Sequence, residues 1–519
     1  MRLCPKSAVF FVFVSFLSGA NAFTGISSLS PKYQSRFRSL RKATLETFEP
    51  GCAPWKLHRV DRVSDWITNG GANLLNPLRK NGRNEYRFIK DSEAVIKSVI
   101  VDTTKEPTST QTCFTRAGPR ERIYFAPKEV KAAIVTCGGI CPGLNTVIRE
   151  VVHCLSSQYG VDTVYGVLGG YRGFYDQTEW KKLTPNSVDQ IHTLGGTVLG
   201  TSRGGHDTQK IVDALEEKGI NMVFIVGGDG TMHGATKIAK ESRRRGMRMS
   251  TIGIPKTVDN DIPFIDKSFG FESAVEESQR AIKSAHVEAS SFPHGLGIVQ
   301  LMGRNSGFIA LHATLGSRDV DCVLIPEIQL ELKGRGGLLE YIKTRMQNQG
   351  HVVIVVAEGA ARDQVLAASH AKTELDLNGV PLPAQDVGRW LTQEIKSYFA
   401  THEIQPPITS KFVNPSYMVR SIPANAADNI YCSTLAHGAV HGAFAGITNV
   451  IVGPMNSHNA YVPLELMDGV TNVVSTKDEM WSRAVFSTGQ PDFMNSKSLE
   501  KCHVSSDTTS GGCTVDLKL

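Results

Sequence analysis

Short apolar runs alternate with amphipathic stretches along the chain from about residue 125 onwards. In the stretch 144–156, apolar side chains recur at helical spacing, and 207–218 has a similar pattern. Buried strands are predicted for the apolar runs at 130–136, 163–168, 221–226 and 249–254. Strands that alternate with helices predict parallel βαβ units.

A second region of the same kind follows a predicted helix at 273–286. Its apolar runs predict strands at 296–302, 321–325 and 351–357, followed by a helix at 425–445 and a strand at 449–452. We therefore expect an α/β protein with two Rossmann-like, three-layer domains and mostly parallel sheets. The polar stretch 45–124 predicts an irregular N-terminal extension with short helices, and 496–519 predicts a flexible tail.

The first 44 residues have the composition of a targeting leader. Arg2 and Lys6 precede an apolar run, and Ala20-Asn-Ala22 fits a small-residue cleavage site, so 1–22 is predicted to be a signal peptide. Residues 23–44 are rich in Ser, Arg and Lys and lack acidic residues, as transit peptides do. The whole leader resembles the bipartite plastid leaders of algae with secondary plastids. It predicts a plastid protein, with secretion or a cytoplasmic location as the alternatives.

Composition and charge exclude several classes of protein. The chain has 519 residues, 41% of them hydrophobic and 20% charged, which is typical of a globular protein with more than one domain. The net charge of +6 is carried by residues 1–42, which contain seven Lys and Arg and no acidic residue. The near-neutral remainder gives no reason to expect a nucleic-acid partner. No apolar run outside the leader is long enough for a bilayer, so the mature protein is expected to have no membrane segment.

The ten cysteines form no pattern of paired CxxC units, so we interpret most of them as free thiols. Cys137 and Cys141 flank a glycine turn, where packing is the favoured interpretation. Cys502 and Cys513 lie in the polar tail, and the sequence leaves a redox role for them open.

Candidate chemistry starts at Gly227-Gly-Asp-Gly-Thr231, which follows the predicted strand 221–226. Glycines let the backbone approach a phosphate chain, and an acidic group where a strand gives way to a helix is suited to Mg²⁺. We expect that helix to begin near Thr231. The pentapeptide predicts a phosphate-donor site without identifying the acceptor.

The most specific segment is Lys256-Thr-Val-Asp-Asn-Asp261, which follows the next predicted strand. Thr257 and Asp259 are two residues apart, so an extended chain presents both on one face. Asp259 is suited to accept a hydroxyl proton, Thr257 to bind the moving phosphoryl group and Lys256 to neutralise its charge. In-line placement and charge neutralisation are what phosphoryl transfer requires.

Several weaker motifs also lie at predicted strand ends. Gly138-Gly139 with Gly143, and Gly195–Gly205 with Arg203, are glycine-rich and suit an anion or a nucleotide. Downstream segments with basic or acidic groups suit a sugar phosphate, and they are Met302–Gly307 with Arg304, Glu358, Lys411 and Tyr417–Arg420.

Taken in order, these motifs give the chain a dense resemblance to 6-phosphofructokinases over residues 118–475. The resemblance rests on Gly138-Gly139, Gly169-Gly-Tyr-Arg-Gly173, Gly200-Thr-Ser-Arg203, Gly227–Thr231, Pro255–Asp261, Met302-Gly-Arg304, Glu358 and Tyr417–Arg420. It implies the phosphofructokinase fold, with a nucleotide-binding domain from 125–270 and 421–472 and a sugar-phosphate-binding domain from 271–420 and 473–495.

The resemblance also implies roles for individual residues. Asp259, Thr257, Arg304 and Lys256 would be catalytic, with Asp259 the base for the 1-hydroxyl of fructose 6-phosphate, and Asp229 would hold Mg²⁺. ATP would be bound by Gly139, Arg203, Gly204, Gly228, Asp229, Gly230 and Thr231. The sugar phosphate would be bound by Thr257, Val258, Asp259, Met302, Gly303, Arg304, Glu358, Lys411, Tyr417, Met418, Val419 and Arg420.

Two positions bear on the choice between ATP and pyrophosphate as the phosphoryl donor. Pyrophosphate-dependent relatives typically carry Asp where this chain has Gly230, whereas Lys256 is a residue that those relatives share. The combination resembles plant and trypanosomatid ATP enzymes, so ATP is predicted, with pyrophosphate as the alternative. Gly295, beside His294, stands where bacterial members place a phosphate-binding Arg, and Lys411 replaces another. The 6-phosphate pocket is therefore expected to differ from the bacterial one.

The sequence therefore predicts an ATP-dependent 6-phosphofructokinase that uses Mg²⁺ and forms a homodimer or homotetramer, as the family does. The rivals are a pyrophosphate-dependent phosphotransferase, a nucleotide or lipid kinase that shares Gly227–Thr231, and a non-catalytic regulatory subunit.

Overall fold

A computed structural model describes residues 55–67, 73–80, 87–100, 111–176, 180–368, 374–375, 381–382, 386–467 and 469–493. The leader predicted at 1–44, the tail predicted at 496–519, and Cys502 and Cys513 lie outside the described residues. The described residues from 57 to 100 and from 112 to 493 belong to one compact unit.

The strands, in chain order, are β1 (Trp55–His58), β2 (Asp61–Arg62), β3 (Leu74–Leu75), β4 (Ala94–Ile96), β5 (Gln111–Arg116), β6 (Arg122–Ile123), β7 (Lys131–Thr136), β8 (Thr163–Val167), β9 (Lys181–Lys182), β10 (Met222–Gly227), β11 (Ser250–Pro255), β12 (Gly295–Leu301), β13 (Cys322–Leu324), β14 (His351–Ala357), β15 (Glu374–Leu375), β16 (Pro381–Leu382), β17 (Thr409–Val413), β18 (Ile447–Thr448), β19 (Val450–Met455) and β20 (His458–Pro463).

The α-helices are α1 (Leu144–His153), α2 (Pro185–Val188), α3 (Thr208–Glu217), α4 (Asp229–Arg244), α5 (Phe271–Ser290), α6 (Phe308–Ser317), α7 (Leu338–Gln349), α8 (Arg362–Ala368), α9 (Val387–Thr401), α10 (Ser416–Ser421), α11 (Ala426–Phe444) and α12 (Glu479–Thr488).

The larger sheet has a parallel centre, in the order β8-β7-β10-β11-β19. Strands β10 and β11 are buried at every position, because helices cover both faces of a parallel sheet. This double burial is why the two strands are continuous apolar runs in the sequence. Antiparallel strands β20 and β9 flank the parallel centre.

The smaller sheet has the order β13-β14-β12-β17, and its three pairings are all parallel. Its register pairs Leu301 with Ala357, so β12 and β14 end side by side. Two mostly parallel sheets with helices therefore confirm the predicted α/β class and two-sheet architecture.

The predicted elements from 130 onwards are observed, with small differences at their ends. The helix predicted over 144–156 ends at His153 and continues as a single π-helical turn, Cys154–Gln158. The helix expected to begin near Thr231 instead begins at Asp229, with Gly228 at its N-cap. Asp229 therefore lies in the first helical turn.

In the described part of 45–124, two short 3₁₀-helices are present as predicted, Val63–Asp65 and Pro77–Lys80. The prediction that the stretch is irregular is wrong, because it also contributes strands β1–β6. Strand β5 pairs antiparallel with both β4 and β20 at one side of the larger sheet, and Phe114 is completely buried. These strands are short, and one of the two partners of β5, strand β20, lies more than 300 residues later in the chain. Tertiary pairing of that kind leaves no local periodicity to read.

None of the described helices is both long and apolar enough to cross a membrane.

Candidate active site

Three chain turns lie side by side at the carboxyl edge of the larger sheet, because β7, β10 and β11 are adjacent and parallel. The pairing continues past the strand ends. The N–H of Cys137 donates to Val226 O at 2.8 Å, and the N–H of Lys256 donates to Gly227 O at 2.9 Å. The glycine turn, the Gly227–Thr231 segment and the Lys256–Asp261 segment are thereby neighbours, as carboxyl ends of parallel strands predict.

The Gly227–Thr231 segment forms the start of α4. Gly228 provides no side-chain cap, and the N–H of Thr231 donates to Gly228 O at 2.9 Å. The N–H groups that precede Thr231, together with the positive end of the helix dipole, are therefore left for an anion. The hydroxyl of buried Tyr171 donates to Thr231 O at 2.6 Å and holds this turn in place. Such a helix start is suited to bind phosphate.

Asp229 presents its carboxylate at the mouth of this crevice. Partial burial by the surrounding protein, followed by the negative charge of Asp261, raises the pKa of Asp229 to about 7, and nearby Lys256 opposes the rise. A carboxylate held in this way gains from a cation. Among the described residues no group of three or more His, Cys, Asp or Glu is arranged to hold a metal ion. Asp229 therefore offers a single carboxylate as a ligand for a hard cation.

Positive charge converges on the Gly138-Gly139 turn. The Lys256 Nζ lies 3.3 Å from the point that a Cβ on Gly138 would occupy. Guanidinium nitrogens of Arg420 and Arg203 lie 3.9 and 4.0 Å from the corresponding point on Gly139. Predicted nucleotide and sugar-phosphate residues thus meet at one turn.

The segment that carries Arg203 is tied to two glycine turns. Thr201 Oγ1 donates to Gly138 O at 2.7 Å, and Ser202 Oγ donates to Gly169 O at 2.6 Å. Arg203 and Gly204 are exposed, and Gly204 has a φ of 73°, where glycine is favoured. Arg203 is therefore an exposed side chain on a turn that these two hydrogen bonds hold in place.

The Lys256–Asp261 segment is a tight turn that concentrates charge. Asp259 N donates to Thr257 Oγ1 at 3.2 Å, and Val258 is buried. Burial, followed by the charges of Asp261 and Glu358, raises the pKa of Asp259 above its usual range. Its Oδ1 is a buried atom without a hydrogen-bond partner. A carboxylate of raised pKa in a crevice is suited to general-base work.

Lys256 is 7% exposed, and burial lowers the pKa of its ammonium group. Because it lies beside Gly138 and close to Asp229 and Asp259, it places its amino group between the two carboxylate-bearing turns.

The turn after β12 adds groups from the smaller sheet. Arg304 Nε lies 3.3 Å from Glu358 Oε1, because β12 and β14 end together. Gly303 is buried with a φ of 123°, and Met302 is half-buried beside it. Ser306 Oγ donates to Asp259 O at 3.2 Å, so this turn contacts the Lys256–Asp261 segment of the other sheet.

The residues of α10 have different environments. Val419 is 1% exposed and packs in the core, whereas Tyr417 and Met418 are 76% and 61% exposed. Arg420 reaches Gly139, and its Nε is a buried atom without a hydrogen-bond partner. Only Arg420 of this group is therefore brought directly to the glycine turn.

Lys411 lies apart from these groups in this chain. It pairs with Gly297 in the register of β12 and β17, four residues before Leu301, or about 13 Å along the strand. Its Nζ contacts Glu288 Oε2 at 3.0 Å. His294 and Gly295 are at the opposite edge of the same sheet, where a Cβ on Gly295 would lie 1.8 Å from Ala289 O.

Sequence reasoning assigned no role to Asp261, although it lies within the most specific segment. Burial raises its pKa, and its charge in turn raises the pKa of both Asp229 and Asp259. The alternation that placed Thr257 and Asp259 on one face would also have placed Asp261 there.

The six described cysteines are free and buried, which confirms the interpretation for Cys113, Cys137, Cys141, Cys154, Cys322 and Cys432. Burial raises the pKa of Cys137 to about 12, so it is an unreactive thiol beside the glycine turn.

Comparison with known proteins agrees with this geometry. The phosphofructokinase family model matches residues 131–443. The chain is 53% identical to ATP-dependent 6-phosphofructokinase 4, chloroplastic, of Arabidopsis thaliana over 78% of this chain and 76% of that protein. It is also 53% identical to ATP-dependent 6-phosphofructokinase 7 of the same plant, over 85% of this chain and 89% of that one.

Among solved structures, a pyrophosphate-dependent phosphofructokinase from Nitrosospira multiformis aligns with a TM-score of 0.57 and 17% identity, over 74% of this chain and 100% of that one. At this identity the likeness concerns the fold alone. The match to the family model and the identity to the two plant enzymes show that the chain belongs to the phosphofructokinase family.

Proposed function

We propose that the protein transfers the γ-phosphoryl group of ATP to the 1-hydroxyl of fructose 6-phosphate. The observation that carries this proposal is the contact between two turns from different sheets. The Asp259 turn lies beside the helix start that suits a phosphate chain, and it also contacts the turn that carries Arg304. Donor, base and acceptor groups therefore share one crevice.

In the proposed mechanism, Asp259 accepts the proton of the 1-hydroxyl as its oxygen attacks the phosphorus. Thr257 and Arg304 bind the transferring phosphoryl group, and Lys256 offsets its negative charge. Arg304 and Glu358 together orient the sugar, and Arg420 approaches from α10. Little covalent participation by the protein is needed, because placement and electrostatic stabilisation supply most of the acceleration.

ATP would lie across the glycine turn and the start of α4. Gly139, Gly228 and Gly230 would present backbone N–H groups to its phosphates, Thr231 would lie against them in the same helical turn, and exposed Arg203 with Gly204 would contact the nucleotide. Asp229 would hold Mg²⁺, which would neutralise phosphate charge when bound.

The remaining sugar-phosphate contacts are Met302, Gly303, the backbone of Val258, and the α10 residues Tyr417, Met418 and Val419. Lys411 would serve only if its side chain reached a sugar phosphate bound in another copy of the chain. We propose a homodimer or homotetramer on this ground. Light scattering of the purified protein tests the assembly.

The proposed division into domains follows the two sheets. Residues 125–270 and 421–472 would form the nucleotide-binding domain, and 271–420 with 473–495 the sugar-phosphate-binding domain. Supporting it, β7–β11, β19 and β20 come from the first set and β12–β14 and β17 from the second.

Formation of fructose 1,6-bisphosphate tests the function. The full chain and a chain that lacks 1–44 would be assayed with Mg²⁺ and either ATP or pyrophosphate. We expect activity with ATP alone, since the curated relatives are named as ATP-dependent. Product from pyrophosphate alone would instead favour the pyrophosphate-dependent alternative, whose members carry the same residue as Lys256. Absence of product with both donors would contradict the function.

Gly230→Asp gives a sharper test of donor choice. Gly230 is exposed in the first turn of α4, so an added carboxylate would crowd and repel the nucleotide phosphates. We expect the ATP rate to fall at least tenfold, whereas Gly230→Ala should lose less. Equal ATP kinetics in the native chain and both variants would show that Gly230 does not set the choice of donor.

We also propose delivery to a plastid, since the first relative described above is named chloroplastic. Residues 1–60 fused to a fluorescent reporter should accumulate in plastids of an alga with secondary plastids. A fusion that lacks residues 1–22 should not. Secretion of the first fusion, or its retention in the cytoplasm, would contradict the proposal.

A further inference from the structure

The two turns that the proposed reaction uses are attached to different sheets. The Lys256–Asp261 turn follows β11, and the Met302–Gly307 turn follows β12. Phosphoryl transfer needs Asp259 and Arg304 at a fixed separation, since a misplacement of about 1 Å can lower a rate a hundredfold. The contacts that hold one turn against the other are therefore functionally relevant.

One contact is direct. Ser306 Oγ donates to the backbone oxygen of Asp259 at 3.2 Å, and Ser306 is 1% exposed. Ser306 is two residues from Arg304. The hydroxyl of Ser306, in the turn that carries Arg304, thus holds the backbone of Asp259.

A second contact runs through the segment 472–474. The backbone N–H of Asn472 donates to Asp261 O at 2.8 Å, and its side-chain Nδ2 donates to Asn260 O at 3.3 Å. Two residues later, Val474 N donates to Glu327 Oε1 at 2.8 Å.

Glu327 completes the connection, because the same Oε1 accepts the N–H of Gly307 at 2.9 Å. Gly307 ends the arginine's turn and is the N-cap of α6. Burial raises the pKa of Glu327, and its Oε2 is a buried atom without a hydrogen-bond partner. A carboxyl group in such a costly environment needs a compensating role.

We propose that Ser306, Glu327 and Asn472 form a clasp that sets the separation between Asp259 and Arg304. The three are positioning residues and touch neither substrate. The inference rests on the proposed function for its effect on catalysis, whereas the mechanical link between the two turns does not depend on it.

The kinetic test compares Ser306→Ala and Glu327→Ala with the native chain. We expect kcat to fall roughly ten- to a hundredfold with little change in the KM for ATP, because the donor site stays intact while the two turns lose register. Glu327→Gln keeps an oxygen that accepts both N–H groups and should recover most of the rate.

Matched controls separate positioning from general destabilisation. Ser278 is a buried serine whose Oγ donates to Ala274 O within α5, and Asp321 is a buried carboxylate that accepts Val353 N at the other edge of the smaller sheet. Ser278→Ala and Asp321→Ala should lower the melting temperature without the loss in kcat. Equal kcat losses in clasp and control variants, at equal stability, would overturn the proposal.

Amide hydrogen exchange tests the link without any assay of activity. In Glu327→Ala, exchange of residues 256–262 should accelerate, although the hydrogen bonds of Glu327 go to Gly307 and Val474 and not to that segment. Exchange confined to residues near 307 and 474 would show that no clasp exists, even in an active enzyme. Acceleration at 256–262 in a protein inactive with both donors would keep the clasp and reject the proposed function.

Discussion

At the scale of single residues, three carboxylates dominate the electrostatics of the crevice. Asp229, Asp259 and Asp261 come from two adjacent strand ends, and Asp261 raises the pKa of the other two. Three acidic groups in one crevice repel one another, and the positive charges of Lys256 and Arg304 offset this repulsion only in part, since the pKa of Asp259 is still raised. The arrangement therefore favours binding of a positively charged ion together with a phosphate chain.

Asp259→Ser should lower kcat about a hundredfold or more, because the hydroxyl of the sugar loses its proton acceptor. The KM for ATP should change little. Asp266→Ser, seven residues later at an exposed position, provides the control. Steady-state kinetics at saturating substrates measure the effect, and a variant with near-native turnover would show that Asp259 is not the base.

The pH profile of kcat/KM should depend on Asp261. The base must be deprotonated, so the rate falls as the pH drops through the pKa of Asp259, which burial and the charge of Asp261 raise. Asp261→Asn removes one of these causes, so the acid limb should move to lower pH. An unchanged limb, or a shift to higher pH, would contradict this electrostatic account.

The raised pKa of Asp259 also has a consequence for stability. Between the ordinary pKa of an aspartate and the folded value, the folded protein holds a proton that the unfolded chain releases. The free energy of unfolding should therefore fall as the pH rises through this window, by an amount that Asp259→Asn removes.

At the scale of elements, strand ends and helix starts bring the groups together. Helix α10 is an example, because its Ser421 carbonyl lies against Gly195 of the segment that carries Arg203. The contact joins a predicted sugar-phosphate element to a predicted nucleotide element. Periodicity predicted neither the contact nor its closeness.

Gly195→Ala should displace α10, since the new Cβ would lie 1.7 Å from Ser421 O. Arg420 would move with the helix, so the KM for fructose 6-phosphate should rise about tenfold or more, with a smaller change for ATP. Ser421→Ala keeps the carbonyl and serves as the control. Equal increases for both substrates would indicate general disruption instead.

At the scale of the whole molecule, the N-terminal extension is part of the larger sheet. Strand β5 covers β20, and Phe114 packs with its ring stacked on His58 at 5.0 Å. A strand edge left without this cover would present unpaired backbone groups and apolar surface.

Deletion of residues 1–116 should therefore give an aggregating protein with a markedly lower melting temperature, whereas deletion of 1–44 should leave stability unchanged. Thermal unfolding and light scattering of the two truncated chains make the comparison. Equal stability of both would show that β5 contributes nothing to the sheet.

The sequence by itself determined the α/β class, most of the strands and helices after residue 130, the phosphofructokinase resemblance and the two central motifs. These features are local: buried parallel strands are continuous apolar runs, and glycine with acidic residues at their ends needs no distant partner. Lys256 and Arg304 were identifiable for the same reason.

Only the tertiary structure decided which distant segments meet. Strand β5 pairs with β20, Arg420 approaches Gly139, and Glu327 joins Gly307 to Val474. Lys411, in contrast, pairs with Gly297, four residues before the end of β12. Each of these depends on pairing and packing between residues far apart in the chain. Such contacts are selected by the free energy of the whole fold, and no local pattern of residues records them.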